Sequence, residues 1–425
     1  MVSCAFGYWQ LARPDLKVHP LNPRPAARSP LANRGGIFDR HGEAVALTVS
    51  SGGRTERAVR SPGLIHVVGY SDPRYGFAGI ESAYNADLAG LGRGFGDWLR
   101  DPLRMRPQGR DVWLTIDARV QEAAENALGR RPGAVVAVRP RTGEILAMVS
   151  YPAYSPAELP RILAGEIPGA PLLNRATQGL YPPGSTFKLV TLAAALEAGL
   201  VPTARERATY QRALAVSSNP DFAELGLQLG ARELASVASR IGFGARLPLE
   251  LPANVSPLPA ATDAGELAQV SIGQGGLVAT PLQMAVAVAA VANGGVVMKP
   301  HIVLEVREPS GRLARFTRVE PLGDPAFSVA TARAVTEAMV LAVEEGTARQ
   351  ARLPGRRVAG KTGTAENPHG APHAWFVGFA PAYRPEVAVA VVVENGGSGG
   401  AVAAPIGRAV LLAALLADRP PEVSP

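Results

Sequence analysis

The chain has 425 residues, 47% of them hydrophobic and 19% charged, a balance that excludes disorder and at this length points to two domains. Its net charge of +7 suits an anionic partner such as a membrane surface, a phosphate or nucleic acid, but the scatter of the basic residues and the lack of an aromatic-interleaved stripe argue against nucleic acid. The single cysteine, Cys4, rules out an intrachain disulfide and a metal site built on several thiolates.

Residues 1–11 are mostly apolar and carry Tyr8 and Trp9 ahead of Arg13 and Lys17, the aromatic-then-basic order of a membrane interface. No segment reaches the roughly 18 to 20 apolar residues of a span. Residues 1–20 therefore read as the membrane-proximal stump of an N-terminal anchor, or as a frayed apolar tail. Cys4 lacks the leader that a lipid-anchored cysteine needs. Residues 12–33, rich in Pro, Arg and Asn, read as an extended linker. Over 36–51 the pattern predicts strand, tight turn at 39–42, and strand. Residues 52–110 are Gly-rich and irregular, so the first domain is expected to be small and poor in sheet.

Residues 112–116 predict a short strand leading into Asp117, a good N-cap, and a helix over 118–128. Strands over 133–138 and 144–150 flank a hairpin turn at Arg141-Thr142-Gly143. Helices follow over 185–198, 221–229, 232–241 and 281–293. Strands over 374–380 and 386–394 then enclose a turn at 381–385, and a last helix covers 405–417. This order predicts an α+β fold with helices on a mainly antiparallel sheet.

Three short motifs carry chemistry. In Tyr181-Pro-Pro-Gly-Ser-Thr-Phe-Lys188 the prolines and Gly184 force a turn, which puts Ser185 at a helix N-terminus with Lys188 one turn on. The positive helix end favours an oxyanion, and burial lowers the proton affinity of lysine, so the pair describes a nucleophile activated without histidine. The chain has 39 arginines and only four lysines, at 17, 188, 299 and 361; arginine cannot give up its proton, whereas a desolvated lysine can. Ser217-Ser218-Asn219 follows a strand-like apolar stretch and supplies a hydroxyl and an amide, which also suit a helix cap. Val358-Ala-Gly-Lys-Thr-Gly-Thr364 reads as an edge strand. There Gly363 leaves room for an extended substrate, Lys361 and Thr362 can hold a carboxylate, and the N–H of Thr364 can face an oxyanion.

Ser-x-x-Lys, Ser-x-Asn and Lys-Thr-Gly in this order resemble the signature of the penicillin-interacting serine enzymes. Residues 114–121, 133–138, 142–149, Ser271-Ile-Gly-Gln-Gly-Gly276, 279–284 and His373-Ala-Trp-Phe-Val-Gly-Phe-Ala-Pro381 look like a penicillin-binding protein transpeptidase domain. Arg34-Gly-Gly-Ile-Phe-Asp-Arg-His-Gly42 resembles the start of a class B pedestal. The resemblance covers roughly residues 30–415. It implies a pedestal over 21–110, a transpeptidase domain over 111–418 with a five-stranded antiparallel sheet flanked by helices and a helical subdomain, and a tail over 419–425.

The family further implies a peptidoglycan D,D-transpeptidase. Ser185 would attack the carbonyl between two D-alanines of a stem peptide, with Lys188 as base, Ser217 as proton relay and Asn219 gripping the donor. The N–H groups of Ser185 and Thr364 would form the oxyanion hole. Lys361, a compact cation in the proton network, would bind the terminal carboxylate with Thr362, and Gly363 would admit the substrate backbone. β-Lactams would trap Ser185, and a membrane glycosyltransferase is the expected partner, at the extracytoplasmic face of the cell membrane. No cofactor and no metal are expected. The alternatives are a D,D-carboxypeptidase, a serine β-lactamase using Glu250 and Asn254 for deacylation, and a non-catalytic β-lactam sensor. Pro220 and Asp221 depart from the apolar residues common after the second motif. His369 and His373, separated by prolines, are not expected to pair on a metal.

Overall fold

The computed structural model describes residues 31–51, 54–91, 108–368 and 370–417. The apolar N-terminal stretch, most of the linker, His369 and the 419–425 tail lie outside these residues. Among the described residues no helix is long and apolar enough to cross a membrane.

The chain divides into two units. The first, reaching Thr115 and including Ala153–Leu172 and Val303–Thr317, is built on a six-stranded sheet. Its strands lie in the order Leu313–Phe316, Val303–Arg307, Asp111–Leu114, Ile37–Phe38, Ala44–Ser51 and Arg54–Val59. The expected sheet-poor domain is thus corrected. These strands are two to eight residues long and pair across great sequence separations, Ile37 with Val112 and Val112 with Val306, so local periodicity does not announce them. The expected boundary near residue 110 moves for the same reason: Asp111–Leu114 and Val303–Arg307 are interior strands of this sheet.

The second unit holds a five-stranded, wholly antiparallel sheet in the order Ala359–Ala365, His373–Ala380, Val387–Val393, Gly133–Val138 and Ile145–Tyr151. Val387–Val393 reads VAVAVVV and is buried throughout, as a strand covered on both faces must be. Val387, Val389, Val391 and Val393 join a core with the helices Ala118–Leu128 and Ala403–Ala417. The alternate residues face the other way, towards the helix Pro281–Ala292, which is apolar and buried around its circumference because it lies inside the unit. Asp117 caps the first of these helices by accepting from the Arg119 N–H.

The Phe376 ring lies in a nest of three glycines. A Cβ added at Gly360, Gly378 or Gly407 would stand 2.8, 2.7 or 2.2 Å from it. Gly407 is helical, and Gly→Ala on an open helix face would gain roughly 1 kcal/mol. Here the clash reverses the sign, and Gly407→Ala is expected to destabilise by about 1 to 3 kcal/mol, read from chemical denaturation. A variant as stable as the wild type would contradict this packing.

Candidate active site

Gly184–Thr186 forms one 3-10 turn and the α-helix begins at Lys188, running to Glu197. Ser185 therefore stands in the turn just ahead of the helix. Gly184 has φ +53°, and its N–H donates to the Gly273 carbonyl at 2.9 Å. Gly273 is glycine for the same reason, since a Cβ there would lie 2.0 Å from the Gly184 oxygen. The Ser271–Gly276 segment is thus a brace for the serine turn.

Lys188 is fully buried. Its Nζ donates to the Ser217 carbonyl at 2.8 Å and to Asn219 Oδ1 at 2.7 Å, and lies 5.5 Å from the centre of the Phe222 ring. The i, i+3 spacing predicts a direct approach to Ser185; the structure instead directs these hydrogen bonds to the second motif. Burial pushes the amine down from the ordinary lysine value to about 8, and the charge of Asp221 works against that shift.

The segment before Ser217 is the end of a helix, Ala204–Val216, and the expected strand-like stretch is corrected. Thr203 and Glu206 close a capping box at its start. Ser217 ends the helix with φ 64° and ψ 38°, a left-handed conformation that glycine adopts freely and serine does not. Ser218 then caps the next helix, Asn219–Leu229, by accepting from the Asp221 N–H. Pro220 fits because it occupies the first helical turn, where no N–H is required. Ser217→Gly is therefore expected to be about 1 kcal/mol more stable than Ser217→Ala, with both impaired in acylation; equal stabilities in a denaturant titration would refute the strain.

Lys361 is also fully buried. Its Nζ donates to Ser217 Oγ at 2.8 Å and to its neighbour's carbonyl, that of Thr362, at 2.9 Å. Burial first, and the nearby charge of Lys188 second, hold its proton affinity well below that of an ordinary lysine. That direction weakens the reading of Lys361 as a permanent cation. Ser217 thus joins the two amines, its carbonyl to Lys188 and its hydroxyl to Lys361.

The Ala359–Ala365 strand is at the sheet edge. Since the Thr362 carbonyl accepts from the Lys361 amine, it points away from the neighbouring strand. Backbone groups alternate in antiparallel sheet, so the N–H of Thr364 also faces the open edge. This orientation suits an oxyanion donor. Gly363 faces the protein: a Cβ there would lie 2.9 Å from the Pro183 oxygen and 3.1 Å from the Thr186 methyl. Its smallness lets the strand dock against the serine turn. The Thr362 hydroxyl is paired with that of Thr347 at 2.6 Å, a partner with no signal in the sequence. Gly399 donates its N–H to Thr364 Oγ1 at 3.3 Å.

Glu250 and Asn254 are engaged elsewhere. Glu250 accepts from the Ile302 N–H at 2.9 Å, and Asn254 donates to the Gln178 carbonyl at 2.7 Å. Among the described residues no group of three or more His, Cys, Asp or Glu is placed to hold a metal ion.

A serine turn, two buried lysines bridged by a serine, and an open-edged strand over a helix-covered antiparallel sheet define an active-site serine acyltransferase. The chain belongs to the penicillin binding protein transpeptidase domain family, which matches residues 133–206 and 202–412. It is 37% identical to peptidoglycan D,D-transpeptidase PbpA of Mycobacterium tuberculosis over 94% of this chain and 92% of that one. Peptidoglycan D,D-transpeptidase MrdA of Acinetobacter baumannii is 33% identical over 79% of this chain and 57% of its own length. Among solved structures, penicillin-binding protein A of M. tuberculosis as a ceftriaxone acyl-enzyme complex superposes with a TM-score of 0.83 at 36% identity, covering 93% of this chain and all of that one.

Proposed function

We infer that this protein is a peptidoglycan D,D-transpeptidase that cross-links stem peptides through an acyl-enzyme on Ser185 and is covalently trapped there by β-lactams. The observation that carries the reading is the convergence of all three motifs on Ser217, reached by Lys188 from one side and Lys361 from the other. In the forward half-reaction the Ser185 oxygen bonds to the penultimate D-alanine carbonyl. Its proton passes to neutral Lys188, and the C–N bond to the terminal D-alanine breaks. The leaving amine takes its proton through the Ser217 hydroxyl, which lies against Lys361. An amine from a second stem then attacks the ester, forming the new amide and returning Ser185 to its hydroxyl. The N–H groups of Ser185 and Thr364 hold the oxyanion, Asn219 holds the donor, and Lys361 with Thr362 receives the terminal carboxylate.

The homologues named as peptidoglycan D,D-transpeptidases support placing the reaction at the extracytoplasmic face of the cell membrane. A membrane glycosyltransferase there would supply the glycan strands. Incubation with a fluorescent penicillin followed by intact mass is expected to give one adduct, on Ser185, lasting many minutes. Rapid turnover to penicilloic acid would make the protein a β-lactamase. With a D-alanyl-D-alanine donor and an amine acceptor, aminolysis product is expected to exceed hydrolysis product; hydrolysis alone would make it a carboxypeptidase.

A further inference from the structure

The path into the serine turn begins four residues before Ser185, at Tyr181, whose phenol donates to Glu394 Oε1 at 2.6 Å. Arg175 Nε donates to the same oxygen at 2.7 Å. Arg175 and Tyr181 are buried, and the Glu394 side chain is 22% exposed. Glu394 directly follows the strand Val387–Val393, and its own N–H donates to the Pro132 carbonyl at 2.8 Å. The carboxylate is therefore fixed to the middle of the sheet. The main chain of Tyr181 is tied in turn, its N–H to the Ala279 carbonyl at 3.1 Å and its carbonyl to the Ala279 N–H at 2.9 Å. Its ring meets those of His373 and Trp375 edge-on, at 5.4 and 6.2 Å between centres.

We propose that Glu394 is a positioning residue for Ser185, holding the serine turn in its reactive place through the Tyr181 phenol while Arg175 fixes the same carboxylate oxygen. Tyr181 opens the first motif's stretch but lies outside its Ser-x-x-Lys, Glu394 lies outside all three motifs, and the two side chains are bonded to each other. The Tyr181–Glu394 bond joins residues 213 apart, and a phenol donating to a carboxylate is a strong, charge-assisted link. Pro182 and Pro183 stiffen the short path from Tyr181 to Gly184. A displacement of the phenol is thus transmitted to the nucleophile rather than absorbed by the chain, and a shift of about 1 Å at a nucleophile can cost about 100-fold in rate.

This assignment rests on the serine acyl-enzyme reading, and its test separates the two. Encounter affinity and first-order acylation rate with benzylpenicillin are measured for wild type, Glu394→Gln, Tyr181→Phe and the double variant. Each single variant is expected to lose roughly 10- to 100-fold in acylation rate with encounter affinity within about threefold. The double variant is expected to match the slower single one, because both changes cut the same link. Singles within twofold of wild type, a double loss equal to the product of the singles, or a loss confined to encounter affinity would overturn it. Tyr181→Phe removes one oxygen and keeps the ring, so the test survives if Glu394→Gln folds poorly. Wild-type protein that forms no Ser185 adduct would overturn the acyl-enzyme reading itself.

Discussion

Lys188→Arg is expected to lower the rate of β-lactam acylation by at least about 10³-fold, in line with loss of a general base, while the positive charge is retained. Arginine stays protonated at any pH a folded protein tolerates, so it cannot take the Ser185 proton. The lysine is held for that role by full burial and by the Ser217 carbonyl and Asn219 Oδ1, which fix its amine. Lys188→Met, close in length but uncharged, should fail equally, which separates the missing base from the added bulk of arginine. Substantial acylation by Lys188→Arg, followed by mass spectrometry, would assign the base to another group.

The wild type should show the same proton in its pH profile. With Lys188 pushed down to about 8, the neutral amine is the minor form below that pH. Acylation is expected to rise about tenfold per unit on the acid side and level off above. Lys361 is also depressed, first by burial and then by the charge of Lys188, so the apparent value belongs to the pair. Stability follows the same sign. The folded pKa lies below the unfolded one, so the unfolded chain binds more protons between them, and the lysine's destabilising contribution disappears as pH rises through that window. A flat acylation profile from pH 6 to 9 would contradict a lysine base.

The chemistry is legible in the sequence because it depends on local spacing. Ser185, Lys188, Ser217 and Asn219 lie in short runs at or beside the ends of elements, and Lys361 and Thr362 are adjacent within one strand. The strands of the catalytic sheet are legible too, since VAVAVVV and GAVVAV are β-branched runs between turn residues. What escapes is whatever depends on partners far along the chain. The helix Ala204–Val216 is largely polar and its last turn passes for a strand, although the Thr203 and Glu206 capping box is a usable sign. The helix Val329–Glu344 carries several β-branched residues, which disguise it. Spacing pairs Lys188 with Ser185, but folding brings Asn219 from 31 residues away to its amine. No periodicity carries that information.

The six-stranded unit offers the largest expected stability effect, at a carboxylate that no sequence motif marks. Glu81 is fully buried and accepts from Arg34 Nε at 2.5 Å and from Arg57 Nε at 2.6 Å. Arg34 also donates to Asn85 Oδ1 at 2.8 Å and Arg57 to the Gly35 carbonyl at 2.7 Å. One carboxylate thus serves two guanidiniums whose side chains are 1% and 6% exposed. Glu81→Ala would leave both charges desolvated without their anion, and such a loss costs about 3 to 5 kcal/mol. Removing all three charges is a different case: replacing a buried ion cluster by apolar residues of similar volume is often neutral. Glu81→Leu combined with Arg34→Met and Arg57→Met is therefore expected to recover most of the stability lost in Glu81→Ala, as read by chemical denaturation. If Glu81→Ala costs less than about 1 kcal/mol, the range of an exposed ion pair, the guanidiniums reach water and the cluster does not organise this unit.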